Sequence, residues 1–310
     1  MITNRILSAW LILLTTTLIV YVFYQESKST EAKQSQVVAS TSDFAGNGFV
    51  AKPFRIPDSL SFAGEHLPLH ISDVRERIDR ELQINSYLHS STLFIMKRAN
   101  RWLPVIDSVL QAEGIPSDFK YLPLIESALL NVVSPKEAAG FWQIVKPAGK
   151  EYGLEITKEV DERYDVVKAS RAACAYLKEA HRKFNNWTLA AASYNRGMSG
   201  LQKAIENQKV NSYYDLFLND ETARYVFRMV AMKEIIENPE RYGFDIKKEE
   251  LYKPELVRYL EVKETIKDLP HFALKHNTNY KTIKRLNPWL KEDYLPVKKG
   301  KSYRIALPAI

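Results

Sequence analysis

One carboxylate is embedded among apolar residues near the middle of the chain. Glu126 follows Pro123 in an apolar run, and its neighbours three and four positions away on a helix would be Leu122, Pro123, Leu129 and Leu130. Removal from water would raise its pKa and keep it protonated closer to neutral pH, as a general acid requires. Since proline fits the start of a helix, a helix beginning there would place Glu126 in its first turn. The alternative is a buried glutamate paired with an arginine for structural reasons, which the spacing alone favours.

The other candidate groups indicate no reaction centre. Asp161, Glu162 and Asp165 lie close together, but their spacing is typical of a helix start, where acidic side chains favour the helix dipole. The six histidines have no metal-ligand spacing, and the single cysteine, Cys174, is typical of a core thiol. The sequence has no phosphate-loop, serine-nucleophile or metalloprotease motif. We therefore predict no metal and no cofactor.

Two stretches combine aromatic rings with amides. Residues 140–143 read Gly-Phe-Trp-Gln, and residues 192–197 end an apolar helix with Tyr194 and Asn195. Rings cover the apolar face of a sugar, and amides satisfy its hydroxyl and acetamide groups, so both stretches would suit a sugar site. Either stretch could equally be a helix cap or core packing.

Taken in order, these stretches resemble the transglycosylase SLT family, which has a goose-lysozyme-like fold, and most closely its membrane-bound lytic murein transglycosylase D branch. The resemblance covers residues 115–240 well. Phe141 stands where family members often have Leu or Ile, and Ser193 where they often have Ala; neither removes a group that the chemistry uses. The matching motifs are Glu126-Ser127, Gly140-Phe-Trp-Gln143, Ser193-Tyr-Asn-Arg-Gly197 and Glu221-Thr-Ala-Arg-Tyr225.

The resemblance implies that the substrate is the glycan strand of peptidoglycan. Glu126 would protonate the glycosidic oxygen between N-acetylmuramic acid and N-acetylglucosamine. Its carboxylate would then take a proton from the muramyl O6 hydroxyl, which closes on C1 to give a 1,6-anhydro end without a second carboxylate. The same resemblance implies two groups of supporting side chains. Those that hold the substrate or orient Glu126 are Ser127, Gln143, Asn195 and Tyr225, and those that shape the cleft are Phe141, Trp142 and Tyr194.

Two other functions stay open at this point. A hydrolase of the lysozyme type on the same fold would use water in place of the O6 hydroxyl. A catalytically silent protein that binds the cell wall would not need Glu126. The sequence does not decide whether strands are cut internally or from their ends.

Helical spacing of apolar residues dominates the part of the chain that must position these side chains. No alternating strand pattern of useful length occurs before residue 255. We predict a mainly α protein, with a lysozyme-like helical catalytic domain, an N-terminal transmembrane helix and a small C-terminal α+β module. A helical extension would span residues 56–115 and the transglycosylase domain residues 116–244. The predicted helices are 73–85, 93–113, 165–184, 187–195, 201–207 and 221–237.

The N-terminal segment, residues 1–24, has the composition of a membrane anchor or a signal. Ile6–Tyr24 carries no charge over 19 residues, enough for about 28 Å of helix. This length favours an uncleaved anchor over a cleaved signal, and Arg5 before it favours a body outside the cytoplasm. Residues 25–55 are typical of a flexible linker. We therefore expect a protein of the bacterial cell envelope, anchored in the membrane with its body in the periplasm.

The C-terminal segment, residues 255–310, has a β-α-α-β pattern and resembles a degraded LysM module. Lys263-Glu-Thr265 stands where such modules usually have Gly-Asp-Thr. From Lys247 onward there are 15 Lys and Arg against 8 Asp and Glu, so this end carries the net charge of +7. The module could bind glycan, dock a partner of the cell-wall machinery or face anionic wall polymer. We expect no nucleic-acid partner, since the body would lie outside the cytoplasm.

Overall fold

The computed structural model describes residues 52–309, and from Phe54 onward the chain forms one compact unit. The predicted anchor or signal at 1–24, and nearly all of the predicted linker at 25–55, lie outside the described residues. Within 52–309, no helix is both long and apolar enough to cross a membrane.

The described chain is mainly helical, as predicted. It opens with a short hairpin of β1 (Ser61–Phe62) and β2 (Glu65–His66), which the sequence did not indicate. The helices before the C-terminal module are α1 (Ser72–Tyr87), α2 (His89–Ala112), α3 (Leu122–Ser127), α4 (Lys146–Glu151), α5 (Val166–Phe184), α6 (Trp187–Arg196), α7 (Met198–Gln208) and α8 (Asp220–Glu237). The module contains β3 (Val257–Val262), α9 (Leu269–Lys275), α10 (Tyr280–Leu286) and β4 (Tyr303–Pro308).

Side-chain caps separate α5 from α6, two helices that follow each other without a long loop. The Asp165 carboxylate accepts the backbone N–H groups of Val167 and Lys168 at 3.0 Å, which satisfies donors that the first turn leaves free. Asn185 takes a left-handed conformation that ends α5, and the Asn186 side chain accepts the Leu189 N–H at 2.7 Å. These local contacts start α6, the helix that carries Tyr194 and Asn195, at a fixed residue.

Helix α8 lies in the middle of the helical body. It packs against α1, α3 and α6, and apolar residues around most of its circumference are buried, including Val226, Phe227 and Met229. A helix buried on most sides gains its stability from packing rather than from propensity. Lys233 interrupts this apolar surface, and its ammonium pairs with the Asp118 carboxylate at 2.8 Å. The charge is therefore compensated inside the fold.

The C-terminal module has its own small core beneath an antiparallel pair of strands. β3 and β4 pair in register from Val257 opposite Pro308 to Val262 opposite Tyr303. Asn287 is buried, and its side-chain amide binds the backbone N–H and C=O of Ala306 at 2.7 and 2.8 Å. The element order is β-α-α-β, as the sequence indicated.

Candidate active site

Glu126 lies on a helix of only six residues. Pro123 is the second residue of α3, where its missing N–H costs nothing. Ala128 and Leu129 both have positive φ, at 52° and 57°, and end the helix directly after Ser127. Glu126 is therefore the penultimate residue of α3, not part of its first turn as expected, because the helix turns back after so few residues.

The surroundings of Glu126 raise its pKa. Burial is the main cause, and the negative charge of Glu221 adds to it, while a hydrogen bond from Tyr225 and the positive charge of Arg228 act in the opposite direction. Arg228 donates instead to the backbone carbonyl of Ile125 at 2.8 Å. In the described part of the chain Glu126 has no ion-pair partner, so the alternative of a structural Arg–Glu pair does not describe it.

Tyr225 reaches Glu126 from the buried helix α8. Its hydroxyl donates a hydrogen bond to Glu126 Oε1, and the side chain is only 1% exposed. Burial and the neighbouring carboxylate raise the Tyr225 pKa well above its usual value, so the phenol keeps its proton. The pair therefore consists of a fixed O–H donor and a carboxyl group that it can stabilise when ionised.

A cavity of about 500 Å³ opens beside Glu126. Four residues predicted from the sequence lie on its wall, namely Glu126, Gln143, Tyr194 and Asn195. The size is within the range of pockets that enclose small ligands. The other lining residues are Ser134, Pro135, Lys136, Ala138, Ile144, Val145, Ala148, Tyr152, Ala172, Ala173, Tyr176 and Glu221.

The loop after α3 forms one side of this cavity. Gln143 has a φ of 48°, and its side-chain nitrogen donates to the carbonyls of Val132 at 3.1 Å and Gly140 at 2.9 Å. Both amide hydrogens are used within the loop, so the amide oxygen is the group that can accept from a ligand. Gln143 therefore shapes the loop and faces the cavity at once.

Three other predicted site residues are buried behind the cavity and do not line it. The Ser127 hydroxyl donates to the carbonyl of Phe141 at 2.8 Å. The Phe141 ring packs edge-on against Trp102, and Trp142 Nε1 donates to Ser170 at 2.8 Å. Their side chains hold the loop against the helices.

One carboxylate and two tyrosines are among the residues of the cavity wall that were not singled out from the sequence. Glu221, at the start of α8, accepts a hydrogen bond from Asn195 Nδ2 at 2.9 Å, so the cavity contains a second carboxylate. Tyr176 on α5 packs edge-on against Tyr194, and Tyr152 packs edge-on against Tyr176. Glu221 lies within a motif that matched the family, whereas the two tyrosines are hidden in ordinary helical spacing.

The acidic cluster around residue 161 has structural roles, as its spacing indicated. Asp161 pairs with Arg163 at 2.7 Å, Asp165 caps α5, and Glu162 pairs with Lys168. Cys174 is buried, and burial raises its pKa to about 12. No group of three or more His, Cys, Asp or Glu residues within 52–309 is arranged to hold a metal ion.

Comparison with known proteins identifies both parts of the described chain. Residues 106–217 match the model of the transglycosylase SLT domain, and residues 258–310 match that of the soluble lytic transglycosylase C-terminal LysM-like domain. Over 195 residues the chain is 34% identical to membrane-bound lytic murein transglycosylase D from two strains of Escherichia coli. That alignment covers 60% of this chain and 42% of the relatives, so the chain spans less than half of their length.

A solved structure of the lytic transglycosylase Slt from Pseudomonas aeruginosa, in an inactive mutant form, is 21% identical. It covers 51% of this chain and 26% of that chain, with a TM-score of 0.37. The resemblance inferred from the ordered motifs is confirmed by the two domain matches and by the 34% identity. The chain contains a transglycosylase SLT domain followed by a LysM-like C-terminal domain.

Proposed function

We propose that this protein is a lytic transglycosylase that cleaves the β-1,4 bond between N-acetylmuramic acid and N-acetylglucosamine in peptidoglycan. The observation that carries the proposal is Glu126, a half-buried carboxyl group with a raised pKa on the wall of a 500 Å³ cavity, bonded to the buried hydroxyl of Tyr225. The SLT domain match and the name of the Escherichia coli relatives support the same activity.

Glu126 acts first as the general acid. Its raised pKa keeps the proton available nearer neutral pH, where an exposed glutamate would be ionised. It transfers that proton to the glycosidic oxygen as the bond from this oxygen to C1 of the muramyl residue breaks. The Glu126 carboxylate that remains accepts the Tyr225 hydrogen bond, which stabilises its charge.

The same group acts next as the general base. The Glu126 carboxylate takes the proton of the muramyl O6 hydroxyl, and O6 forms a bond to C1. The product is a 1,6-anhydro end, the leaving strand carries a new hydroxyl, and Glu126 regains its proton. No water is consumed.

Aromatic rings and amides around the cavity can recognise the sugars. The Tyr176 hydroxyl donates to the carbonyl of Ser193 at 2.6 Å, and the Tyr194 hydroxyl donates to that of Trp142 at 2.9 Å. With their polar ends held by the protein, these rings can offer apolar surface to a sugar. Asn195 is held between Glu221 and the Thr222 hydroxyl, which donates to its amide oxygen at 2.7 Å.

A hydrolase of the lysozyme type is the second candidate, and Glu221 is the observation that favours it. A second carboxylate in the cavity could activate a water molecule, as in glycosidases that use two carboxylates. Its hydrogen bond with Asn195 favours a positioning role for Glu221 instead. The two reactions differ in their products, which makes them separable.

Mass spectrometry of digested sacculi tests the proposal. Wild-type protein should release fragments with 1,6-anhydro-muramyl ends, and Glu126→Gln should lower the yield by about 10³-fold or more, since both proton transfers are lost. Glu240→Gln, which alters an exposed carboxylate outside the cavity, is the matched control and should release the wild-type products.

Other product patterns would contradict the proposal. Reducing ends in place of anhydro ends, lost in Glu221→Gln, would identify a hydrolase. If Glu126→Gln released glycan fragments at the wild-type level, the protein would only bind the cell wall.

We also propose that the protein works in the bacterial envelope, held to the membrane by the apolar segment Ile6–Tyr24. The relatives are named as membrane-bound, and the proposed substrate lies outside the cytoplasm. Residues 56–115, 116–244 and 255–310 would then be the extension, the catalytic domain and the C-terminal module of the periplasmic body. Extraction of membranes with alkaline carbonate should leave the full chain in the pellet and release a variant that lacks residues 2–24.

A further inference from the structure

The C-terminal module is attached to the helical body along the segment 155–164, which precedes α5. Val160 pairs with Leu290 in an isolated antiparallel bridge, is 1% exposed and belongs to the core of the module rather than to that of the helical body. The Asp161 N–H donates to the Trp289 carbonyl at 2.9 Å, and the Lys291 N–H donates to the Glu159 carbonyl at 2.8 Å. The module thus completes its core with a residue from the catalytic part.

Side chains extend this attachment on both sides of the bridge. The Glu155 carboxylate accepts hydrogen bonds from the ammonium of Lys301 at 2.6 Å and from the hydroxyl of Tyr303 at 3.0 Å. The Lys291 ammonium lies 4.0 Å from the centre of the Tyr164 ring. These contacts hold the module in one position on the helical body.

The connection between α8 and the module is fixed as well. The Tyr252 N–H donates to the Lys97 carbonyl of α2 at 3.3 Å, and Asn100 donates to the Tyr252 carbonyl at 3.1 Å. Arg101 donates to the carbonyl of Lys253 at 3.0 Å. Both ends of the attachment are therefore held by the helical body.

The attached segment in turn holds the loop that forms one wall of the cavity. The guanidinium of Arg163 is buried and donates hydrogen bonds to both carboxylate oxygens of Asp161, at 2.7 and 3.0 Å. Its remaining nitrogen donates to the carbonyls of Glu137 at 2.8 Å and Ile144 at 3.1 Å. Arg163 thus connects Asp161, which is bonded to the module, to two backbone carbonyls of the cavity wall.

The backbone of the wall rests directly on the same arginine. Gly140 has a φ of 77°, and a Cβ there would lie 2.0 Å from the Arg163 carbonyl oxygen. The loop between Glu137 and Ile144 includes Gln143, which lines the cavity. A continuous set of contacts therefore runs from Trp289 through Asp161 and Arg163 to the wall.

We infer that the C-terminal module acts as a brace for the cavity wall, and that Arg163 is the positioning residue through which it acts. The brace keeps the loop 134–145 in the conformation that accepts the glycan. Hydrogen exchange tests this directly, and only the activity readout rests on the proposed function.

Four variants of the full chain separate the steps of the brace. Val160→Asp places a charge in the core of the module at its contact with the body, and Arg163→Lys keeps a positive charge but loses the fork that binds Asp161 and two carbonyls. Lys158→Ala removes an exposed ion pair with Glu292 at the same interface, 3.8 Å long, and is the matched control. Val160→Ile keeps the apolar contact and should restore the wild-type behaviour.

Amide hydrogen exchange of residues 134–145 is the main measurement. Exchange there should become about tenfold faster in Val160→Asp and in Arg163→Lys, because the loop opens locally, and should stay at the wild-type rate in Lys158→Ala. In the double variant Val160→Asp/Arg163→Lys, exchange of the loop should be no faster than in Arg163→Lys, since both changes break the same connection. Unchanged exchange in both single variants would overturn the inference; if Val160→Asp does not fold, Arg163→Lys alone decides it.

Turnover of a short soluble glycan gives the second readout. Such a substrate fills only the cleft. If the module served only to bind the cell wall, Val160→Asp would therefore leave the kinetics with this substrate unchanged. The brace predicts a KM about tenfold higher, with kcat within about threefold, because the loop forms a wall of the cavity while Glu126 and Tyr225 lie on helices outside it. If wild-type protein cleaves no glycan, the proposed function is wrong. Hydrogen exchange of residues 134–145 would still test whether the module braces the loop.

Discussion

At the scale of single residues, Glu126 and Tyr225 form the pair on which the proposed chemistry depends. Burial raises the pKa of the carboxyl group, and the phenol offers a hydrogen bond to the ionised form. These effects oppose each other on the Glu126 pKa, with burial the larger. The balance suits a group that must give up a proton and then recover one.

Removal of the Tyr225 hydroxyl should change the pH profile of the enzyme. In Tyr225→Phe the ionised form of Glu126 loses its donor, so its pKa should rise further and the alkaline limb of kcat/KM should move to higher pH. We expect kcat to fall by about 10- to 100-fold because the carboxylate is no longer stabilised. Tyr213→Phe is the control, since that hydroxyl is also buried but donates at 2.8 Å to the carbonyl of Thr222. A limb that stays in place in Tyr225→Phe would contradict this role.

The raised pKa of Glu126 also has a consequence for stability. Between its ordinary value of about 4.3 and the higher folded value, the folded protein binds more protons than the unfolded chain, so stability falls as the pH rises. Glu126→Gln removes this cost and can still accept the Tyr225 hydrogen bond. Its melting temperature should exceed that of wild type at neutral pH, and the difference should close below the ordinary glutamate pKa. A melting temperature lower than wild type at neutral pH would show that the carboxylate stabilises the fold.

At the scale of elements, α8 connects the site to the helical extension. Arg224, directly before Tyr225, forms a pair with Glu81 of α1, with distances of 2.6 and 3.2 Å. The Glu81 side chain is 2% exposed, and within residues 52–309 its charge is compensated by Arg224 alone. Helix α1 therefore holds α8 in place directly next to Tyr225.

Loss of one partner of this pair should destabilise the protein strongly. Arg224→Gln leaves the buried Glu81 carboxylate without its ion-pair partner, and we expect about 2–4 kcal/mol less free energy of unfolding in urea titrations. Arg80→Gln is the matched control, because the Arg80–Asp220 pair is 3.5 Å long and exposed on both sides. That variant should stay within about 0.5 kcal/mol of wild type. Equal effects of the two substitutions would argue against a special role for the buried pair.

At the scale of the whole molecule, the C-terminal module and the helical body share structure. Val160 lies in the core of one and in the chain of the other, and residues from Phe54 onward form one compact unit. Residues 258–310 match a LysM-like domain, and the contacts along 155–164 indicate a fixed position. Both are compatible with a module that stabilises a sugar cleft.

This shared core should make unfolding cooperative across the two parts. We expect a single calorimetric transition for the wild-type chain, with equal calorimetric and van't Hoff enthalpies. Val160→Asp should divide it into two transitions as the module and the body separate. Two transitions in the wild-type protein, at temperatures that do not change with the substitution, would mean that the parts unfold independently.

The sequence by itself determined the features that depend on near neighbours along the chain. Leu122 and Pro123, four and three positions before Glu126, indicated a desolvated carboxyl, although Leu129 and Leu130 lie beyond the end of the helix. Asp165 marked the start of a helix that it indeed caps. The order of four motifs indicated the SLT domain, which the comparisons confirm. The helix and capping signals are local, because they involve residues within one or two turns, whereas the motif order is a pattern along about a hundred residues.

Only the tertiary structure decided which distant residues meet. Glu221 lies on the cavity wall and Tyr225 contacts Glu126 because α8 packs beside α3 and α6, and Arg163 donates to the carbonyls of Glu137 and Ile144 in the wall. The same packing turned Ser127 and Trp142 away from the cavity and into hydrogen bonds behind it. Helical spacing shows which residues share a face of one helix, but the partner of that face is chosen by the packing of the whole chain.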